Sequence, residues 1–217
     1  SVSILLLFVT IGFGIYSNTL ETPFILDDIL RIQDNPNIRI TELNLKEIGK
    51  AVFSKQFSKK RPIGTISFAL NYYFHQYNLT GYHVVNIIIH ILSGIFLYLL
   101  IKATLNLPFL RPKYDYPDLI AFFTALVWLV NPVHTQSVTY IVQRLNSMAA
   151  MFFVLSLLLY VKGRISQRQY AAQDIQSETG TKPKAGPSSN NRKTTFNFHL
   201  SSFYLYYSGS VLAWILA

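Results

Sequence analysis

Asp27 and Asp28 stand side by side in FILDDILRIQDNPNI, residues 24–38. Two adjacent carboxyls in a pocket of low dielectric cannot both ionise cheaply, so one is held towards its neutral form. That suits a general base or a metal ligand. The same pair also fits a solvated turn, or the N-cap of a helix opening on ILRI. A second group lies in GYHVVNIIIHILSG, residues 81–94, where His83, Asn86 and His90 are spaced by three and four residues and share one helix face. Inside a bilayer such side chains line a wet cavity or hydrogen-bond neighbouring helices, and the spacing alone leaves both open. No third ligand is evident beside the two histidines, which argues against a metal there. His134, in NPVHTQSV, is either a further titratable group or an exposed turn residue. Arg61, in KKRPIGT, and Arg144, in YIVQRLNS, each border an apolar run. A guanidinium fork there can grip a phosphate through paired hydrogen bonds, or can simply anchor in lipid headgroups.

The elements that would carry these residues are apolar. The chain has 217 residues, 51% hydrophobic and 13% charged, against about a quarter charged in a soluble domain. No Asp, Glu, Lys or Arg occurs between Arg61 and Lys102, or between Asp118 and Arg144. Each gap can hold the ~20 apolar residues of a spanning helix. The composition is that of a polytopic membrane protein. Zero cysteines excludes disulfides, thiolate chemistry and Cys-ligated metals. No Gly-rich nucleotide loop, HExxH or serine-hydrolase elbow is present. The net charge of +9 does not point to nucleic acid, because no basic helix or aromatic stacking platform accompanies it.

Hydropathy places apolar segments at about 1–17, 82–102, 118–132 and 145–162, with a further one starting at 202–217. The third is short and ends at Asn131-Pro132. Residues 163–201 hold SETGTKPKAGPSSNN, whose polarity predicts a disordered linker. Lys and Arg in short loops mark the cytoplasmic side, so 103–117 and 163–201 are expected in the cytoplasm. Residues 18–81, a large outer loop, and 131–145 are then extracytoplasmic. Within that loop, Leu45, Ile48, Val52 and Phe53 recur at helical spacing behind a Thr41 cap. IGTISFALNYYFHQY makes a second short helix, and both read as interfacial or as packing helices of a small outer domain. NLT at 78–80 is an N-glycosylation sequon. The abrupt apolar start and stop predict a piece of a longer protein.

FILDDILRIQDNPNI, RPIGTISFALNYYFHQYNLTGYHVVNIIIH and NPVHTQSVTYIVQRLNSMAAMFFVLSLLLY follow in this order. Together they resemble the membrane half of the transmembrane-and-tetratricopeptide-repeat (TMTC) proteins. That family is similar to the GT-C glycosyltransferases, which include the protein O-mannosyltransferases. The resemblance covers residues 1–162. It implies an all-α transmembrane bundle of GT-C type with a large first extracytoplasmic loop. It implies a mannose-like sugar on a polyprenyl phosphate as donor, a protein Ser/Thr hydroxyl as acceptor, and a bacterial inner membrane or endoplasmic reticulum as location. The family's early acidic motif falls on Asp27 and Asp28, with a slight preference for Asp28 as base. Arg61 and Arg144 would hold the donor phosphate, and His83, Asn86, His90 and His134 would line the cavity. The wider superfamily admits a divalent cation at the acid pair, but no cofactor is required. NPVHTQ departs from the family's His-Pro-Val-(His/Gln)-Thr-Glu form, with Gln136 in place of the glutamate.

Transfer by attack opposite the phosphate inverts the anomeric centre. The rival readings are transfer to a glycan or lipid, a transporter, and a membrane anchor without catalysis. Against transport, no inverted repeat or broken helix pair is legible.

Overall fold

In a computed structural model of the chain, residues 2–53, 61–178, 205–213 and 215 are described, the side chains of 170–178 excepted. All regular structure among them is helical: α1 Val2–Tyr16, α2 Leu45–Val52, α3 Pro62–His75, α4 Leu79–Leu105, α5 Pro117–Val130, α6 Thr135–Thr139 and α7 Arg144–Glu178. Among the described residues, three stretches are long and apolar enough to cross a membrane: Val2–Thr19, Leu79–Leu105 and Ile141–Gln169. A fourth crossing exists if α5 and Pro132–Thr139, bent by 47°, make one span. The chain is a membrane protein.

α4 is the central post, with α1, α5 and α7 packed around it. At 27 residues and 1.5 Å per residue it is about 40 Å long, more than the ~30 Å hydrocarbon. Asn78 starts it, its side-chain oxygen accepting the Thr80 N–H at 3.1 Å. Phe8, Tyr98, Ala121, Ala125 and Leu129 fill one end of the core. Tyr16, Ile87, Ile91 and Val138 fill the middle, and Ile32, Ile38, Phe68, Tyr82 and Ile141 the end that carries the acid pair. Gly12 lets α1 close on α4, since a Cβ there would lie 2.5 Å from Ile91 Cγ1.

Three expectations need correction. The α2 cap is Asn44, whose side chain accepts the Glu47 N–H at 2.8 Å, and not Thr41. Of the two readings of α3, the packing helix is the one that its buried Thr65, Phe68, Ala69 and Asn71 fit. α7 continues to Glu178 because no proline interrupts GRISQRQYAAQDIQSE. Residues 163–178 of the expected linker are therefore helical, and 179–204 lie outside the described residues. Finally, a broken helix pair does exist. Pro132 has no N–H and disfavours a helical residue before it, so Asn131 is extended and its side chain caps the next turn through Val133 N–H at 3.0 Å. Helical residues 205–213 pack on α7, with Ser210 Oγ donating to the Ser156 carbonyl at 2.8 Å.

Candidate functional site

The chain leaves α1 through a 3-10 turn at Ser17–Thr19 and reaches Leu26, which adopts φ 47°. A leucine in the left-handed region costs about 1–2 kcal/mol, and the next two residues hold it there. Asp28 is 1% exposed. Its Oδ1 accepts the Val142 N–H at 2.7 Å and its Oδ2 the Ile25 N–H at 3.3 Å. Burial holds the Asp28 carboxyl above its ordinary value; the two N–H groups oppose that shift, and the charge of Asp27 adds to it. Asp27 differs on each count. Its side chain is 52% exposed and lies 3.3 Å from Nε of Arg31, while its backbone N–H donates to the Tyr140 hydroxyl at 2.9 Å. One acid anchors the loop to the start of α7, and the other is presented to the outside. The neighbours therefore do different work: Asp28 is the acid that burial holds towards its neutral form, and Asp27 the one presented outward.

Arg144 is fully buried. Nε donates to Asn86 Oδ1 at 2.7 Å, one terminal nitrogen to Asn71 Oδ1 at 2.6 Å and to the Ser67 carbonyl at 3.3 Å, and the other to the Tyr82 carbonyl at 2.9 Å. The Phe68 ring centroid lies 4.5 Å from its guanidinium carbon. No ion pair among the described residues includes it. Such a group is a strut joining α3, α4 and α7, with no donor turned towards an outside phosphate. Arg61 is the exposed one of the two and donates to Asn146 Oδ1, in the first turn of α7.

The stripe on α4 is buried, with His83 0%, Asn86 2% and His90 5% exposed. His83 Nε2 donates to the Thr22 carbonyl at 2.9 Å, and His90 Nε2 to the Leu129 carbonyl at 2.9 Å. Asn86 Nδ2 donates to the Val138 and Ile141 carbonyls at 3.0 and 3.4 Å. Leu129 and Val138 lie in the last turns of α5 and α6, where backbone carbonyls lack helical partners. His90 thus satisfies a carbonyl freed where α5 stops before Pro132, Asn86 two at and after the end of α6, and His83 one in the loop after α1. His134 joins this cluster from the break, its ring 5.4 Å from His90 and 4.4 Å from Trp128.

Arg31, Tyr140, Ser67, Asn71 and Tyr82 escaped the sequence reading. Arg31 could have been found, since it follows Asp27 by four residues, the spacing of a helical ion pair. Tyr140 and Val142 are 113 and 114 positions from their acid partners and carry no local signal. For a divalent cation the acid pair offers two carboxylates and no third His, Cys, Asp or Glu beside them among the described residues. Both Asp28 oxygens accept from backbone N–H groups.

Comparison with known proteins supplies relatives. Over 166 residues the chain is 31% identical to the Caenorhabditis elegans protein O-mannosyl-transferase F38B6.6, covering 74% of this chain and 23% of that one. It is 32% identical to mouse protein O-mannosyl-transferase TMTC2 over 170 residues, 75% of this chain and 19% of that one. With human protein O-mannosyl-transferase TMTC1 the identity is 30% over 157 residues, 67% and 16% of the two chains. The chain spans about a fifth of the length of the curated relatives it matches. No family model matches it, and no solved structure does.

Proposed function

The chain is TMTC-like over about three quarters of its length, and on that premise we propose that it is the membrane part of a GT-C-type protein O-mannosyltransferase. The full-length protein moves a mannose-like sugar from a polyprenyl phosphate to a Ser/Thr hydroxyl of a protein, on the extracytoplasmic side and with inversion. One observation carries the reading: a half-exposed Asp27 carboxylate held by a buried neighbour where the chain emerges from a spanning helix. The donor is a lipid whose reactive carbon lies at the membrane surface, so its base has to be fixed at that level on a rigid element.

In this mechanism Asp27 takes the acceptor proton as the hydroxyl oxygen attacks the sugar carbon opposite the phosphate. The carbon–oxygen bond to the phosphate breaks, and the lipid phosphate leaves with the electron pair. Arg61 is the cation that stabilises that leaving charge. Arg31, 3.3 Å from Asp27, holds that side chain in place. Asp28 is a positioning residue acting through the backbone of Ile25 and Val142, and Arg144 keeps the helices behind them in register.

Sugar transfer from polyprenyl-phosphate mannose to an acceptor peptide, by the full-length protein in detergent, tests this. Asp27→Asn should lower the rate ~10²–10⁴-fold, the usual loss for a general base. Asp28→Asn keeps an oxygen for Val142 N–H and should lose far less. Near-normal transfer by the Asp27 variant would remove the proposed base, and a product of retained configuration would remove the single displacement.

A further inference from the structure

Two cavities open at the end of the bundle remote from the acid pair, one on each side of the connection between α4 and α5. Both reach Asn106 and Asp118. The first, about 610 Å³, sets Arg111 against Asp115 and Asp118 and has no excess of positive charge. The second, about 520 Å³, lies between the end of α4, the start of α5 and the middle of α7. It gathers Lys102, Lys162 and Arg168 against Asp118 alone. Lys102 Nζ is paired with Asp118 at 2.7 Å. Lys162 and Arg168 make no ion pair among the described residues, so the groove holds two uncompensated cations. Its remaining walls are largely apolar, from Leu99, Ala103, Leu107 and Ile165.

The depth of these cations is set by helix length. Residues 145–161 of α7 carry no charge, and at 1.5 Å per residue they cover about 26 Å, close to the ~30 Å hydrocarbon layer. Lys162 is the first charge beyond that layer. Lys102 closes the uncharged run of α4 in the same way. A positive floor at headgroup level therefore meets apolar walls that continue along the spanning helices.

We infer that this groove binds the headgroup of an anionic phospholipid. The lipid phosphate accepts from Lys162 and Arg168 through charge-assisted hydrogen bonds, and the first methylenes of its chains lie on the α4 and α7 walls. A free phosphate would gain nothing from those walls, and a zwitterionic headgroup would bring a cation next to two others. The inference is independent of the proposed reaction, whose groups all lie at the opposite end of α4.

Photoactivatable phosphatidylglycerol and phosphatidylcholine with identical chains, applied to the purified full-length protein, test it. Phosphatidylglycerol should label the peptides containing residues 99–108 and 162–169, and phosphatidylcholine should label them about 25-fold less, the margin expected of two cations. Each surface cation contributes about fivefold to anionic lipid binding, so Lys162→Gln with Arg168→Gln should cut labelling about 25-fold. The swap Lys162→Arg with Arg168→Lys preserves the charge and should retain the labelling. Equal labelling by the two lipids overturns the inference. So does an absence of label at these peptides, which would mean that another part of the protein fills the groove. Displacement by excess inorganic phosphate would make a free anion the ligand and overturn it as well.

Discussion

At the scale of single residues, two adjacent acids have been given opposite surroundings. Asp28 is dry and doubly hydrogen-bonded, while Asp27 is wet and paired with a cation. Burial keeps the Asp28 carboxyl above the ordinary 3.8, so the folded chain binds that proton more tightly than the unfolded chain does. Linkage fixes the sign: the stabilisation from this group is complete below the unfolded value and is lost as pH rises through the raised folded one. Asp28→Asn removes the titration. The melting temperature of the parent minus that of the variant, followed by thermal unfolding in detergent, should therefore fall as pH rises above the ordinary 3.8. A rise instead would show that the Val142 and Ile25 N–H groups outweigh burial. Arg144 is the other decisive residue. Its substitution leaves Asn71, Asn86 and the Tyr82 carbonyl without a donor, each worth about 1–3 kcal/mol when stranded. Arg144→Met should therefore lower stability by at least about 3 kcal/mol. Arg144→Lys should not rescue it, because one ammonium cannot reproduce a fork. In whatever enzyme remains folded, the donor Michaelis constant should be unchanged. A weakened donor affinity at full stability would restore Arg144 as a phosphate ligand.

At the scale of elements, close approach and interruption matter more than propensity. α1 reaches α4 at Gly12, where Ile91 leaves no room for a side chain. Gly12→Val should separate the two helices and cost about 1–3 kcal/mol, the usual penalty of overpacking, while Gly14→Val, with open space around it, should be tolerated. Equal effects of the two changes on thermal unfolding would show that the α1–α4 contact is not tight. The positions of α1, α4, α5 and the start of α7 were legible because apolar runs of the right length can do little else. The interruption at Asn131-Pro132 was legible as an end to a segment, though its continuation as α6 was not. The stripe on α4 was readable as one face, but its partners were not. Those partners are backbone carbonyls, which every residue possesses and which become available only where another helix stops.

At the scale of the whole molecule, charge is segregated by end. Asp27, Asp28, Arg31 and Arg61 gather where α1 finishes and α7 begins, while Lys102, Arg111, Asp118, Lys162 and Arg168 gather at the other end of α4. With short-loop cations marking the cytoplasm, the acid pair is expected outside. Single cysteines, introduced at Glu42 and at Asp115 into a chain that has none, give the measurement. An impermeant thiol reagent on intact cells should label the Glu42→Cys protein, and the Asp115→Cys protein only after permeabilisation. The reverse pattern would put the acid pair in the cytoplasm and remove the extracytoplasmic reaction with it. Sequence alone could place the acids at a membrane surface. It could not divide labour between them, because that division depends on a strand of contacts running 113 and 114 residues ahead to Tyr140 and Val142.

The polar stripe of α4 also fixes an order of events during synthesis. Thr22 is already made when α4 leaves the ribosome, so His83 can find its carbonyl at once. The partners of Asn86 and His90, which are Leu129, Val138, Ile141 and Arg144, have not yet emerged behind it. Asn86 and His90 must therefore enter the bilayer unsatisfied, at a cost that the twelve Ile and Leu residues of α4 offset. Each later helix is then recruited as it arrives, by a side chain already waiting at the depth where that helix will break.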